Sequence, residues 1–500
     1  MKDSDKQKTF YEKFVKKNTV KTKDLQYTGN KKDTSLQRKQ NKKKADKKGS
    51  NFIKAESNLA VAKTQIAGAD IFHPLDGEAA VILNSFDEIV RTALGLNFKQ
   101  ETLIPKDIRS LFHELTDERG MRKINYLNNP VKLTAYIYHY MWWNLVRISK
   151  LILNMNFDLH DGSSIADFGC GPLTMTCAFW IAKPELRNKK LHWYCADISG
   201  KALSAGEAIF NSLCAFTEKN KQHTCNTWKI TKVRGSFGVP LKSKIDFFIS
   251  ANMFNEIFWD SSIKISGEAE KAVKNIMRYL KNNAANIDTH NFSSQVLIIE
   301  PGIPLAGAFI SELRRLFLKN DFFVVSPCPH NHICPIPGQR QEKTDVLERE
   351  LFPENPSFLK RRQKGNAAFA QDKWCHFSFY TEDAPEKLIA LSEAAKLEKT
   401  RASLSFIYCK TQPFKKLEHI TSASFTECFN VRITSDIIQL KDGLIGRYAC
   451  SEKGFLLLTE RNSATSKLKR YIGGSLVKIQ TDKINPFLKD KKTGAAIIRV

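Results

Sequence analysis

The chain has 500 residues, 42% of them hydrophobic, and a formal net charge of +26 from 78 Lys+Arg against 52 Asp+Glu. At roughly 100–200 residues per domain, this length predicts several domains, and the apolar content excludes a chain that is disordered throughout. We expect neither a membrane span nor a secretory signal, because no apolar run is long enough for either. Acidic residues among the first lysines also disfavour an organellar transit peptide, so we expect a cytoplasmic protein with reduced cysteines.

Two regions precede the first recognisable α/β pattern. Residues 1–62 are predicted to be a disordered basic arm, since residues 1–50 carry 17 Lys+Arg against 6 Asp+Glu and few large apolar groups. Such an arm indicates a polyanionic binding partner, of which nucleic acid is the leading candidate. The alternative is that the arm only makes the protein more soluble. Residues 63–155 are predicted to be a helical N-terminal region, because Phe86, Ile89, Val90 and Leu94 recur at helical spacing.

From residue 156 onward, strand and helix patterns alternate. Short apolar runs predict strands at 164–168, 191–197, 227–234, 245–251, 296–300 and 322–325. Alternation of this kind predicts an α/β fold with a doubly wound parallel sheet. We therefore divide the rest of the chain into a methyltransferase-like α/β domain (156–325), a cysteine-bearing insertion (326–400), a last sheet strand with linker (401–424) and a small β-rich C-terminal domain (425–500).

The first strand-to-helix turn carries a glycine motif. Asp167 precedes Gly169 and Gly171, and a second acid, Asp197, ends the next strand. Glycines there open a crevice at the strand ends, and the second acid can bind both ribose hydroxyls of a nucleoside. The arrangement resembles motif I and the ribose-binding acid of class I S-adenosylmethionine-dependent methyltransferases, although Leu173 stands where these enzymes often have a third glycine. It predicts a Rossmann-like methyltransferase fold.

Candidate catalytic residues follow the fourth strand of this domain. The segment 252–256 lacks both the Pro-Pro-aromatic signature for exocyclic base amines and a Pro-Cys nucleophile for cytosine C5. Asn255 and Glu256 could orient a substrate or the methyl donor. The alternative for Asn255 is a helix cap.

Three cysteines beside prolines, histidines or a tryptophan suggest a metal. Cys328 and Cys334 are separated by five residues, and Cys375 follows after forty more. Thiolates prefer soft metals, so the set predicts either zinc, completed by His330 or His376, or an iron–sulfur cluster with a fourth thiolate.

Four motifs together resemble one protein family. They are the Asp-Phe-Gly-Cys-Gly-Pro turn, Ile-Glu-Pro-Gly-Ile-Pro at 299–304, Cys-Pro-His with Cys-Pro at 328–335, and Trp-Cys-His-Phe-Ser at 374–378. The family is that of the methyltransferase-like small-ribosomal-subunit assembly factors of bacteria and mitochondria, often described as ribosomal RNA methyltransferases. The resemblance covers roughly residues 75–480, and the paired cysteine segments carry most of it.

The resemblance implies both a function and a ligand set. It implies a protein that uses S-adenosylmethionine on the rRNA of the small ribosomal subunit, in ribosome assembly or translation, with no membrane or DNA partner. It also implies a structural [4Fe–4S] cluster on Cys328, Cys334, Cys375 and Cys450, with Cys409 and then Cys428 as substitutes for the fourth ligand. The alternative is a non-catalytic RNA-binding assembly factor on a degenerate methyltransferase scaffold.

Basic runs near these segments fit an RNA partner. They are 360–364, 467–470 and 489–492, although each alone is also consistent with a solvated face.

Overall fold

The computed structural model describes residues 62–96, 102–117, 125–218, 227–257, 264–281, 293–336, 373–411, 427–481 and 488–500. Most of the predicted basic arm and the basic run 360–364 lie outside the described residues. Among the described residues, 112–117 belong to one unit, and all the others belong to a second, compact unit. No helix in the described segments is both long and apolar enough to cross a membrane.

The helices lie mainly in the first two thirds of the chain. They are α1 (Gly77–Asn84), α2 (Phe86–Leu94), α3 (Ile104–Thr116), α4 (Pro130–Ala135), a π-helix (Tyr136–Met141), α5 (Trp142–Ile152), α6 (Thr174–Ala182), α7 (Gly200–Glu218), α8 (Met253–Ile257), α9 (Ile265–Tyr279), α10 (Pro304–Lys319) and α11 (Glu386–Ala394).

The strands divide between two sheets. They are β1 (Lys63–Gly68), β2 (Ser164–Phe168), β3 (His192–Asp197), β4 (Lys229–Arg234), β5 (Phe247–Ala251), β6 (Gln295–Pro301), β7 (Phe322–Ser326), β8 (Phe377–Tyr380), β9 (Arg401–Thr411), β10 (Glu427–Ile433), β11 (Ile438–Gln439), β12 (Leu444–Ser451), β13 (Gly454–Arg461), β14 (Leu476–Thr481) and β15 (Ala496–Arg499).

The first sheet confirms the predicted α/β fold. Its strand order is β4-β3-β2-β5-β6-β9-β7, and β2 to β6 run parallel. The order reverses between β2 and β5, and in doubly wound sheets the ligand crevice lies at such a switch point. The six predicted strands from 164 to 325 are all present.

The last strands of this sheet differ from the prediction of a parallel sheet. Strand β9 runs antiparallel to both β6 and β7, and β8, inside the predicted insertion, pairs antiparallel with β9. An apolar run indicates a strand but not its direction, because direction depends on the path of the connecting chain.

The N-terminal helices pack against the first sheet's layer. Phe86, Ile89 and Val90 are buried on α2, as the helical spacing predicted. The indole N–H of Trp142 donates to the Leu83 carbonyl at 3.0 Å, which ties α5 to α1. Nearly every side chain of α5 is buried, so this helix belongs to the core.

The second sheet is antiparallel except for its last strand. Its order is β1-β14-β10-β12-β13-β15, with β11 beside β12, and β15 runs parallel to β13. The prediction that residues 63–155 are helical is wrong at its start, because 63–68 form β1 in this C-terminal sheet. Five of the six β1 residues are exposed, so the segment lacks the apolar alternation that would identify a strand.

Candidate functional site

The glycine turn joins β2 to α6 at the switch point of the first sheet. Gly169 and Gly171 have φ of +68° and +51°, in the left-handed region that favours glycine. A Cβ at Gly169 would lie 2.6 Å from Cβ of Met253, whereas a Cβ at Gly171 would meet no atom within 4 Å. Gly169 is therefore needed for the close approach of α8, and Gly171 leaves the crevice open.

Leu173, the predicted departure from the methyltransferase pattern, is accommodated by helix α7. Its φ is +57° and its side chain is buried. Helix α7 packs directly on this turn, because a Cβ at Gly206 would lie only 2.4 Å from the carbonyl carbon of Pro172 and 2.7 Å from Cδ1 of Leu173. The missing side chain at Gly206 makes room for the leucine.

The two acids of the predicted site lie near the ends of the neighbouring strands β2 and β3. The Asp197 carboxylate accepts hydrogen bonds from the amides of Gly171 at 2.9 Å and Ser199 at 2.8 Å, and it retains lone pairs for a ligand. Burial raises the pKa of Asp197, while these hydrogen bonds lower it. Asp167 is fully buried, and neither of its oxygens has a hydrogen-bond partner among the described residues. Burial raises the pKa of Asp167 well above its usual value.

The candidate catalytic residues lie on α8, which begins at Met253. The fully buried Glu300 carboxylate accepts hydrogen bonds from the amides of Phe254 at 3.0 Å and Asn255 at 2.9 Å. Glu300 therefore caps α8, and the alternative that Asn255 caps this helix is wrong. The sequence motif at 299–304 contains Glu300, but its role depends on β6 lying beside β5.

Tyrosines from the N-terminal region lie beside α8. The Tyr126 hydroxyl donates to the Glu256 carboxylate at 3.5 Å. Tyr136 stacks on Tyr140 with ring centroids 5.6 Å apart, and burial together with Glu256 and Asp197 raises the pKa of Tyr136. Sequence analysis missed these tyrosines, because no local motif indicates which distant helix will cover a crevice.

A small depression of about 10 Å³, roughly the space for one water molecule, adjoins α8. Asn255 and Glu300 provide its polar lining, and the remaining lining residues are Phe254, Ile265, Leu305, Ala306 and Phe309.

The four cysteines with predicted metal-binding roles converge from separate parts of the chain. Cys328 and Cys334 follow β7, Cys375 precedes β8, and Cys450 lies on β12. The pKa of the Cys450 thiol is raised by burial and then by Cys334, Cys328 and Cys375, so all four thiols lie within electrostatic range. Burial likewise raises the pKa of Cys375, with Cys328 and Cys334 acting in the same direction.

The two substitute cysteines are placed differently. Cys409 is fully buried on β9 between Val296 and Val324, and Cys328 is the one cysteine that contributes to its raised pKa. Cys428 is an exposed residue of β10. These placements favour Cys450 as the partner of the other three.

The donor set suits a soft metal by its chemistry. Four thiols and two imidazoles lie in or beside this region, and His330 Nε2 is 3.6 Å from Cys450 Sγ. The His376 ring instead stacks on Trp374 with centroids 5.1 Å apart. Within the described residues, no three His, Cys, Asp or Glu side chains are arranged so that they could hold a metal ion.

Two of the predicted basic runs lie beside the strand that carries Cys450. Arg447 on β12 donates to the Leu468 carbonyl at 2.8 Å, and the Tyr448 hydroxyl donates to Asp490 at 2.9 Å. Lys467, Lys469 and Arg470 are exposed around the buried Leu468, and Lys491 and Lys492 are exposed beside Asp490. Both runs are thus fixed to β12.

Comparison with solved structures returns methyltransferases at low similarity. Two are S-adenosylmethionine-dependent methyltransferases in complex with S-adenosyl-L-homocysteine. The one from Geobacter sulfurreducens is 13% identical, and the match covers 54% of this chain and 91% of that chain with a TM-score of 0.25. The one from Thiobacillus denitrificans is 11% identical, with the same coverage of 54% and 91% and the same TM-score of 0.25. A third is phosphoethanolamine N-methyltransferase 2 of Haemonchus contortus with S-adenosyl-L-methionine. It is 14% identical, and the match covers 58% of this chain and 60% of that chain with a TM-score of 0.28. The fold assignment follows from the sheet order above.

Comparison of the sequence with known families gives a match to one family model. No curated protein matches the chain significantly. Residues 156–344 match the family model described as mitochondrial small ribosomal subunit Rsm22. The matched segment contains Asp167, Asp197, Cys328 and Cys334. The match confirms the predicted resemblance to a family of small-ribosomal-subunit proteins over this segment of the chain.

Proposed function

We propose that this protein is an S-adenosylmethionine-dependent methyltransferase-like factor that acts on the rRNA of the small ribosomal subunit. The observation that carries the proposal is the buried Asp167, whose oxygens have no hydrogen-bond partner among the described residues. On the neighbouring strand, Asp197 accepts a hydrogen bond from the Gly171 amide, and the space beside Gly171 is empty. A buried carboxylate without a partner is costly, so a ligand that hydrogen-bonds to it stabilises the site. The Rsm22 match supplies the ribosomal context.

These residues would bind and orient the methyl donor. S-adenosylmethionine supplies an activated sulfonium methyl group. Asp197 would accept hydrogen bonds from its ribose hydroxyls, Gly171 would let the backbone approach it closely, and Asp167 would receive its polar groups from the floor of the crevice. Asn255 and Glu256, beside the depression at α8, would position the acceptor.

The four cysteines would hold a structural [4Fe–4S] cluster. Mutual electrostatic contact of the thiols of Cys328, Cys334, Cys375 and Cys450 supports this ligand set. Zinc with His330 is the competing occupant, because this imidazole lies beside Cys450. Anaerobic purification separates the two: iron and labile sulfide in a brown protein support the cluster, and zinc in a colourless protein refutes it.

The surface around β12 would contact rRNA. The exposed cations of 467–470 and 489–492 are fixed to the strand that carries Cys450, so an assembled cysteine site would also order this basic surface. RNA crosslinking in cells tests the partner. Crosslinks concentrated on small-subunit rRNA are expected, whereas crosslinks spread over messenger RNA or DNA would refute the assignment.

A second candidate function is that of a non-catalytic assembly factor. Glu300 uses both carboxylate oxygens to cap α8, and Glu256 accepts the Tyr126 hydroxyl, so neither of these two acids is an evident base for the acceptor. Such a factor would bind rRNA without transferring a methyl group.

One experiment separates the two functions. The full chain is incubated with small-subunit rRNA and S-adenosylmethionine carrying a labelled methyl group. Label on the rRNA that disappears in Asp167→Ala, but persists in the exposed-turn control Asp161→Ala, supports the enzyme. Calorimetric binding of S-adenosylmethionine without transfer supports the non-catalytic factor, and absence of binding refutes the proposed use of the crevice.

The compartment is part of the proposal. The sequence predicts a cytoplasmic protein, whereas the description of the matched family names the mitochondrial subunit. Microscopy of the full chain with a C-terminal fluorescent tag tests this: diffuse cytoplasmic signal supports the prediction, and mitochondrial signal overturns it.

A further inference from the structure

Two buried arginines converge on the cysteine region from different parts of the fold. Arg314 lies on α10 of the α/β domain and is 4% exposed, and Arg432 lies on β10 of the C-terminal sheet and is 7% exposed. Buried guanidinium groups are costly unless an anion or hydrogen bonds compensate them. The surroundings of these two therefore indicate what charge they face.

Arg314 holds the loop that carries the first two cysteines. Its Nε donates to Cys328 Sγ at 3.2 Å, and its Nη2 donates to the carbonyl oxygens of His330 at 2.9 Å and His332 at 2.7 Å. One planar guanidinium thus fixes both the backbone of the loop and a sulfur atom, which a lysine ammonium could not do with the same geometry.

Arg432 holds the start of the same loop from the opposite domain. Its Nε donates to the Pro327 carbonyl at 2.9 Å and its Nη1 to the Gly474 carbonyl at 2.8 Å. Arg432 is also paired in register with Cys450 on the neighbouring strand β12. The loop 327–334 is consequently held between guanidinium groups of both domains.

Neither arginine forms a salt bridge with a carboxylate of the described residues. The groups that interact electrostatically with Arg314 are Cys328, Cys334 and Cys450. Arg432 interacts with Cys328, then with Asp70, which is beyond salt-bridge distance, and then with Cys450 and Cys375. Cysteine thiols are therefore the groups near Arg314 that can become anionic, and near Arg432 they act together with Asp70.

We infer that Arg314 and Arg432 are the counter-charges of the loaded four-cysteine site. This inference rests on the proposed function, in which the cysteines hold a metal cofactor. Four thiolates around a [4Fe–4S] core carry a net charge of about −2, which two guanidinium groups balance. The arginines are positioning residues: they orient the cysteine loop, and their charge stabilises the more reduced, more negative state of the cluster.

The test uses the full chain reconstituted anaerobically with ferrous iron and sulfide. The variants are Arg314→Gln and Arg432→Gln, which remove the charge, and Arg314→Lys, which restores it without the planar geometry. Arg447→Gln is the matched control, because Arg447 is a buried arginine of β12 whose hydrogen bonds go to the carbonyls of Leu468 and Ser435. The readouts are the rate of iron loss to a chelator and the reduction potential.

We expect each Gln variant to lose iron about tenfold faster than the wild type, as a lost hydrogen bond to a charged group predicts. Its potential should move to more negative values, Arg314→Lys should recover most of the potential, and Arg447→Gln should match the wild type. Because the arginines lie on separate elements, either Gln variant that folds is sufficient. Circular dichroism of the unloaded proteins checks folding.

Two results separate failure of the counter-charge inference from failure of the cluster proposal. If the loaded wild type and a folded Gln variant share the same potential and rate of iron loss, the counter-charge inference is wrong and the cluster proposal stands. If the wild type retains neither iron nor sulfide, the cluster proposal itself fails, and the counter-charge role falls with it.

Discussion

At the scale of single residues, burial decides the charge state of the groups around the crevice. Burial raises the pKa of both Asp167 and Asp197, but at Asp197 two backbone hydrogen bonds oppose this effect, whereas Asp167 has no partner among the described residues. In the proposed site the two acids would therefore have different roles. Asp197 is suited to accept hydrogen bonds from a ligand as a carboxylate, and Asp167 is suited to an enclosed polar contact.

Asp197→Asn is expected to weaken binding of S-adenosylmethionine about tenfold, because a charged acceptor for the ribose hydroxyls becomes a neutral one. Calorimetry on the full chain measures this change. Asp161→Asn is the matched control: this exposed acid also accepts a backbone hydrogen bond, from Lys190 at 2.9 Å, but it lies on the turn before β2. Equal affinity of Asp197→Asn and wild type would contradict the ribose-binding role.

His139 is expected to make the fold sensitive to acid. Burial, with Lys399 acting in the same direction, lowers the pKa of His139 to about 3, against about 6.5 in the unfolded chain. The unfolded state then binds more protons below pH 6.5, so stability is full above that pH and is lost as the pH falls towards 3.

His139→Gln is expected to remove about 2 kcal/mol of the stability loss between pH 6.5 and pH 5, since glutamine does not titrate there. Urea unfolding at the two pH values measures it. The exposed His113 provides the control variant His113→Gln, which should follow the wild type. A wild-type profile in His139→Gln would mean that this imidazole is protonated in the folded state.

At the scale of elements, the crevice depends on close packing of two helices on the glycine turn. Helix α8 approaches Gly169 through Met253, and helix α7 approaches the Pro172–Leu173 segment through Gly206. The non-glycine Leu173 retains a left-handed backbone because its side chain is enclosed there. The turn is therefore shaped from both sides by helices that do not adjoin it in sequence.

Gly206→Ala is expected to destabilise the fold by roughly 1–3 kcal/mol, because its Cβ would lie 2.4 Å from the Pro172 backbone and α7 must shift. Affinity for S-adenosylmethionine should fall with it. In contrast, Gly267→Ala on α9 meets nothing within 4 Å and should be neutral or stabilising by about 0.5–1 kcal/mol. Thermal unfolding and calorimetry compare the two, and equal stability of both variants would show that α7 does not constrain the turn.

At the scale of the whole molecule, residues near 62–68 pair with the C-terminal sheet, which also carries one of the four cysteines. Strand β1 pairs with β14, and the Ala62 amide donates to the Arg499 carbonyl at 2.8 Å. Cys328 and Cys334 come from the loop after β7, while Cys450 comes from the C-terminal sheet. A cofactor held by all four cysteines would cross-link the α/β domain to that sheet and contribute its binding free energy to the folded state.

Cys450→Ala is expected to lower the bound iron and sulfide and to abolish the rise in thermal midpoint on loading. The exposed Cys428 provides the control variant Cys428→Ala, which should load and stabilise as the wild type does. Iron and sulfide analysis with thermal unfolding, before and after anaerobic reconstitution, measures both effects. Full loading of Cys450→Ala, together with loss of loading in Cys409→Ala, would transfer the fourth ligand to Cys409.

Local sequence was sufficient for the elements that define the α/β domain. The apolar runs that form β2 to β7, the glycine turn and Asp197 are each identifiable within a few residues, because burial of a strand and reversal of a chain impose local patterns. The cysteine segments were equally recognisable, since thiols beside prolines are unusual in a short loop. These patterns were enough for the doubly wound α/β fold and for the resemblance to the family model that residues 156–344 match.

Only the tertiary structure decided which distant groups meet. The antiparallel direction of β9, the entry of β1 into the C-terminal sheet, the cap that Glu300 places on α8 and the convergence of Arg314 and Arg432 have no local signature. Each depends on contacts between residues far apart in the chain, where packing and charge compensation select among arrangements that the local sequence allows equally. The sequence by itself therefore determined the kinds of chemistry present, and the fold determined which groups share a site.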